Sequence, residues 1–113
     1  MDEITLKQLR YYNSANLDGF CSCYHKDVVV LNSDGAVKVK GMKEFKELYS
    51  KLFSEFNDVK AKVTERIVVL PHVAEKEFWS RVKKDSNEEL SGEAIVIYTL
   101  KEGLIKTVQF FMN

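Results

Sequence analysis

The second half of the chain holds four β-patterned segments in close succession, at about residues 59 to 70, 72 to 84, 91 to 101 and 104 to 112. Alternation of apolar and polar residues, rich in Val, Ile and Thr, marks them as strands. Pro71-His72 closes the first pair, Asp85 to Glu89 the second, and Glu102-Gly103 the third. Connections this short join antiparallel neighbours, so the segments predict a meander. Such a sheet has a broad apolar face, and the first half of the chain must cover it.

That cover is legible from Gly41 onward. Met42, Phe45, Leu48, Tyr49, Leu52, Phe53 and Phe56 recur at steps of three and four, while Lys43, Glu44, Lys46, Glu47 and Lys51 take the other side. The spacing predicts an amphipathic helix over 42 to 56. Leu6, Leu9 and Tyr12 form a stripe of a helix over 3 to 15, and a short helix is expected over 17 to 24, starting near Asn16 or Asp18. Between the helices, "VVVLN", "SDG" and "AVKVK" read as a hairpin turning at Asp34-Gly35. Helices gathered against one antiparallel sheet make the class α+β. At 113 residues the chain is read as one domain, 1–113, large enough to bury a core without disulfides or metals.

Charge narrows the partners. The 17 basic residues balance 17 acidic ones, which removes the electrostatic argument for nucleic acid or an anionic membrane. "MDEITLKQLRYYN" carries no apolar stretch of signal-peptide length, and no run of about 18 apolar residues occurs. A cytoplasmic location is therefore expected, with Cys21 and Cys23 reduced. On a helix Cys21 and Cys23 point about 200° apart, leaving Cys21 and His25 as the pair on a shared face. Two ligands are fewer than zinc commonly takes, so neither a metal nor a cofactor is expected.

The segment "YYNSANLDGFCSCYHKDVVVLNSDGAVKVKGMKEFKELYSKLF" resembles the nuclear transport factor 2-like superfamily, in its SnoaL-like and ketosteroid-isomerase-like bacterial branch. "RIVVLPHVAEKEFW" is similar to the central hairpin of that family, and "GEAIVIYTLKEGLIKTVQFFM" to its last two strands. The resemblance implies a cone-shaped fold, in which a curved sheet of five to six strands wraps about three helices and leaves a pocket at the open end. It does not imply one chemistry, because this fold hosts isomerases, cyclases, dehydratases and transport adaptors. Steroid isomerisation needs a carboxylate base, a tyrosine and a protonated carboxylic acid. By resemblance those roles fall at Asn32, near Gln8 and near Val96, so that activity is not expected.

Other polar residues are candidates for the pocket. If Pro71-His72 is a two-residue turn, Arg66 faces Glu77 and Val68 faces Glu75 on one side of the sheet, and Trp79 continues the row. Glu75 and Glu77 are then candidate acid/base groups, and Arg66 a candidate for a ligand carboxylate. The alternative is a solvent-facing ion pair worth under ~1 kcal/mol. Tyr12, Asn32, Tyr49, Phe53, Trp79 and Tyr98 complete the expected lining, although the tyrosines fit equally as core aromatics.

Two functions stay open. One is a pocket protein for a small apolar or amphipathic metabolite. The other is a lyase, isomerase or hydrolase using Glu75 or Glu77. A homodimer through the sheet is also expected. Ala94, Val96, Tyr98, Val108, Phe110 and Met112 occupy one alternation class of the last two strands, and Ile95, Ile97, Ile105 and Phe111 the other, so both faces are apolar.

Overall fold

A computed structural model of the chain describes residues 3–113. The elements are α1 (Glu3–Asn13), α2 (Leu17–Ser22), β1 (Tyr24–Leu31), β2 (Val37–Lys40), α3 (Met42–Glu55), β3 (Phe56–Val69), β4 (His72–Lys83), β5 (Glu89–Lys101) and β6 (Leu104–Met112). All six strands form one curved, open sheet in the order β2-β1-β6-β5-β4-β3, and the three helices lie in its concavity. The α+β cone agrees with the expectation from sequence, but the sheet is mixed: β1 runs parallel to β6. No short turn links those two strands, so connection length does not force them antiparallel.

The centre of the core is a knot of rings. Phe45 of α3 is fully buried, with its ring centroid 4.4 Å from that of Tyr24, 4.8 Å from Tyr49 and 5.6 Å from Phe20. Gly41 sets the start of α3: its φ of +87° turns the chain out of β2, and its N–H donates to Val28 O at 2.7 Å. At the other end Phe56 is already extended, so the helix passes directly into β3.

Three local expectations are corrected. Of the stripe Leu6, Leu9 and Tyr12, Tyr12 packs against the core rings, but Leu6 is 39% exposed, and Thr5 and Gln8 are the fully inward residues of α1. Gln8 turns inward to the Tyr24 and Tyr98 hydroxyls, and Thr5 to the Arg66 guanidinium. Helix α2 stops at Ser22, which puts His25 in β1 rather than on a helical face with Cys21. Ile105, assigned by alternation to the outer face, is fully buried. A register shift after Thr99 pairs Leu100 with Ile105, making Lys106 the extra residue and turning Ile105 inward.

The β3–β4 hairpin differs most. Its turn is at Leu70-Pro71, whose peptide bond is cis, rather than at Pro71-His72. Val69 therefore opposes His72, and Arg66 opposes Glu75 rather than Glu77. A second shift, between Val63 and Glu65, leaves Val63 opposite Glu77. Because Arg66 moved by two positions along β4, it keeps the face that the sequence assigns it. Val73, Glu75, Glu77, Trp79 and Arg81 form the inward row of β4.

On the convex face, Ile67 is 67% exposed, Ile95 52% and Phe78 45%. Among the described residues no helix is long and apolar enough to cross a membrane.

Phe45→Ala should cost about 3–5 kcal/mol of folding stability, because the ring vacates the middle of a closed aromatic cluster. Urea denaturation measures it, and a loss below about 1 kcal/mol would contradict the central place given to this ring.

Candidate functional site

The open end of the cone holds a cavity of about 620 Å³. Inward residues Glu77, Trp79 and Arg81 of β4 form one wall; Tyr12 of α1 and Leu48, Tyr49 and Leu52 of α3 form the opposite one. Asn32, Asp34 and Lys38 of the β1–β2 hairpin stand at the rim. Beside it lies a void of about 50 Å³, wide enough to admit water, with Leu9, Phe20, Ala61 and Phe110 in its lining together with the polar ends of Gln8, Glu77 and Tyr98.

The side chain of Asn13 fixes α1 against this wall. Its Nδ2 donates to Ala61 O at 3.0 Å and its Oδ1 accepts from Ala61 N at 2.7 Å, so the amide pairs with the sheet's edge strand as another strand would. One helical turn earlier, Gln8 Nε2 donates to Tyr98 Oη at 3.2 Å and to Thr5 O at 2.9 Å, while Tyr24 Oη donates to Gln8 Oε1 at 2.8 Å. The amide thus joins two buried phenols beneath the cavity floor.

Glu75 and Glu77 stand on the same face and have different surroundings. Glu75 is 2% exposed, and its Oε2 accepts from Arg66 Nε at 3.1 Å, while Arg66 also donates to Thr5 Oγ1 at 2.6 Å. Burial raises the Glu75 pKa and Arg66 pulls it back down. Neither residue lines the main cavity. Glu77 lines both the cavity and the void and has no ion-pair partner among the described residues. Burial first, and the charge of Glu75 second, push its pKa up to about 7.

The tyrosines are held as phenols. Burial raises Tyr12 to about 12 and moves Tyr49, Tyr24 and Tyr98 upward as well, with the charge of Glu77 contributing in each case. Tyr12 and Tyr49 line the cavity and can donate hydrogen bonds into it, whereas the Tyr24 hydroxyl is committed to Gln8; none can serve as a base near neutrality.

Of the residues expected from sequence, Tyr12, Asn32, Tyr49, Glu77 and Trp79 share the main cavity, and Tyr98 reaches the void. Phe53 packs on Tyr12, Phe20 and Tyr49. Arg81 was missed, although the alternation that places Glu77 and Trp79 inward predicts it two residues later. Its guanidinium carbon lies 4.7 Å from the Phe56 ring centroid and 4.8 Å from that of Trp79. Gly92 makes room for the indole: a Cβ there would come within 2.9 Å of Trp79 Cζ2.

The isomerase positions carry other side chains in place. Gln8 is committed to two tyrosines, Val96 is buried, and Asn32 sits at the rim. Cys21 and Cys23 are free and buried, and desolvation raises both thiol pKa values. His25 Nδ1 accepts from Asp27 N at 3.0 Å, which leaves Nε2 to donate to Glu102 Oε1 at 3.2 Å. Among the described residues no three His, Cys, Asp or Glu side chains converge as metal ligands would.

The SnoaL-like domain family matches residues 7–108. The chain belongs to this SnoaL-like family. An uncharacterized cystatin-fold protein from Novosphingobium aromaticivorans superposes on it with a TM-score of 0.88 at 18% identity, over 96% of this chain and 95% of the other. A putative SnoaL-like polyketide cyclase from Jannaschia sp. CCS1 gives 0.82 at 14% identity, over 98% and 83%. An LEH-like epoxide hydrolase from M. tuberculosis gives 0.85 at 10% identity, over 98% and 80%. Likeness at these identities is one of fold. No curated protein matches the chain in sequence.

The ionisation of Glu77 makes this SnoaL-like domain's stability depend on pH. Its folded pKa, about 7, lies above the ordinary value of 4.5. Its contribution is thus complete below about pH 4.5 and is lost as pH rises through about 7. Glu77→Gln removes the ionisation, so its stability relative to wild type should rise by about 2–4 kcal/mol between pH 4 and pH 8. Urea melts of both proteins at the two pH values check this, and a pH-independent difference would contradict it.

Proposed function

We propose that the chain binds a small apolar or amphipathic molecule in the cavity between α1, α3 and β4. The observation that carries this reading is the cavity itself, open at one end: about 620 Å³, with aromatic and aliphatic walls and a few inward polar groups, inside the ~300–1,000 Å³ range of small-molecule sites. Family membership supports it, since structural relatives include a putative polyketide cyclase and an epoxide hydrolase. Trp79 is the single tryptophan of the chain and lies in the wall, so its emission reports occupancy. Titration with 2-naphthol should change that emission saturably; no change up to the solubility limit of the probe would overturn the reading.

Glu77 favours a second reading, proton transfer to or from the bound molecule. A carboxyl group poised near pH 7 suits a general base or acid, and the surrounding phenols suit developing negative charge. Glu75 is the weaker candidate, because Arg66 holds it away from the cavity. Steroid isomerisation is not the proposed chemistry, given Gln8, Asn32 and Val96 at the isomerase positions. Purified protein should leave a Δ5-3-ketosteroid unconverted, and enzymatic turnover of that substrate would refute this assignment.

We further propose that two copies pair through the convex face. Ala74, Ile97 and Gln109 lie on one cross-strand rung, with Lys76, Ile95 and Phe111 on the next. Lys76 sits between Glu65 at 3.8 Å and Glu93 at 3.9 Å, so the one cation of these rungs is paired and a second copy would meet mainly the apolar Ile95, Ile97 and Phe111. Two-fold pairing is the commonest way to cover such a face. Light scattering at micromolar concentration should give twice the monomer mass, and the monomer mass for Ile97→Glu. A monomeric wild type would end the proposal.

A further inference from the structure

The row on β4 carries a charge that the binding reading does not use. Arg81 lies two residues beyond Trp79 and four beyond Glu77 on the same face, so its Cα is roughly 13 Å from that of Glu77 along the strand. Glu77 shows no influence of Arg81 on its ionisation, whereas Tyr12 and Tyr49, on the opposite wall, feel both. The cavity therefore has two unlike ends, with phenols between them.

Among the described residues no carboxylate forms an ion pair with Arg81. Its polar neighbour is the Tyr12 phenol, and its Nε is buried without an acceptor. The indole Nε1 of Trp79 is likewise buried without one. Contacts with the Phe56 and Trp79 rings hold the guanidinium in place but accept no hydrogen bond from its planar N–H edge. At the rim Lys38 and Asp34 bring one charge of each sign, which leaves Arg81 as the uncompensated cation of this wall.

We propose that Arg81 recognises a carboxylate at one end of a flat, apolar ligand whose body lies against Trp79 and whose far end points toward Glu77. This rests on the cavity being a ligand site. It names the ligand class, an aromatic or similarly planar carboxylic acid, and it moves the carboxylate-binding role from Arg66, which Glu75 occupies, to Arg81. A carboxylate accepts two parallel N–H bonds from a guanidinium, a geometry that a neutral amide reproduces poorly and a lysine cannot offer.

Calorimetric titration with 2-naphthoate and with 2-naphthamide, which share shape and differ in charge, tests the assignment. Wild type should bind the carboxylate at least about tenfold more tightly than the amide. Arg81→Gln should remove that preference while moving the amide's affinity much less, and Arg81→Lys should keep part of it. Equal affinities in wild type, or a preference that survives Arg81→Gln, overturn the inference and leave the cavity reading standing. Should Arg81→Gln not fold, an unchanged preference in Arg81→Lys overturns it instead. Binding of neither probe overturns both.

Discussion

The inward row of β4 depends on one constraint, the register of the β3–β4 hairpin. Side chains of a strand alternate strictly, so a slip of one residue would carry Glu75, Glu77, Trp79 and Arg81 to the convex face together. The turn at Leu70-Pro71 and the shift between Val63 and Glu65 hold that register. Pairing with β5 repeats it, with Glu77 opposite Ala94 and Trp79 opposite Gly92. Small residues stand across from two of the three inward side chains of the cavity wall, while Arg81 is opposite Leu90. The wall thus depends on backbone pairing and on side-chain volume at once.

Placing two carboxyl groups two residues apart on a concave face raises the energy of ionising either. The fold treats them differently. Arg66 and Thr5 draw Glu75 into a hydrogen-bonded cluster beside α1, and its Oε1 stays buried without a partner. Glu77 has no cation beside it among the described residues and lines the cavity, so its charge is governed by burial and by its neighbour. Glu75 supports the wall, while Glu77 is a titratable group within it. A structural need alone would be met more stably by an apolar residue at position 77, which is the physical reason to read Glu77 as functional.

Periodicity made most of the fold legible. The helix spacing of Phe45, Tyr49 and Leu52, and the turn residues between the later strands, specify a helix on a meander without ambiguity. Resemblance supplied the cone. Three things were not legible, each for a different reason. Gln8 is inward because it answers the phenols of Tyr24 and Tyr98, and Thr5 because its hydroxyl accepts from Arg66, partners that are distant in sequence. Ile105 is inward because of an extra residue in β6, and a bulge leaves no mark in an alternation pattern. The parallel junction of β1 with β6 is a long-range pairing that connection lengths do not fix. In the candidate site, the face of Glu75 and Glu77 is the same for either turn, because moving the turn by one residue shifts the pairing by two. Arg81 was readable by the same parity and was missed because the row was followed no further than Trp79.

The central claim is that this register holds the Glu77 carboxyl in a desolvated cavity without a neutralising cation. Carbon-13 NMR of the glutamate carboxyls, with Glu77 assigned by its loss in Glu77→Gln, follows that ionisation directly. A midpoint near pH 7 is the result expected. A midpoint close to the ordinary glutamate value, about 4.3, would show the carboxyl solvated or paired and would contradict the account.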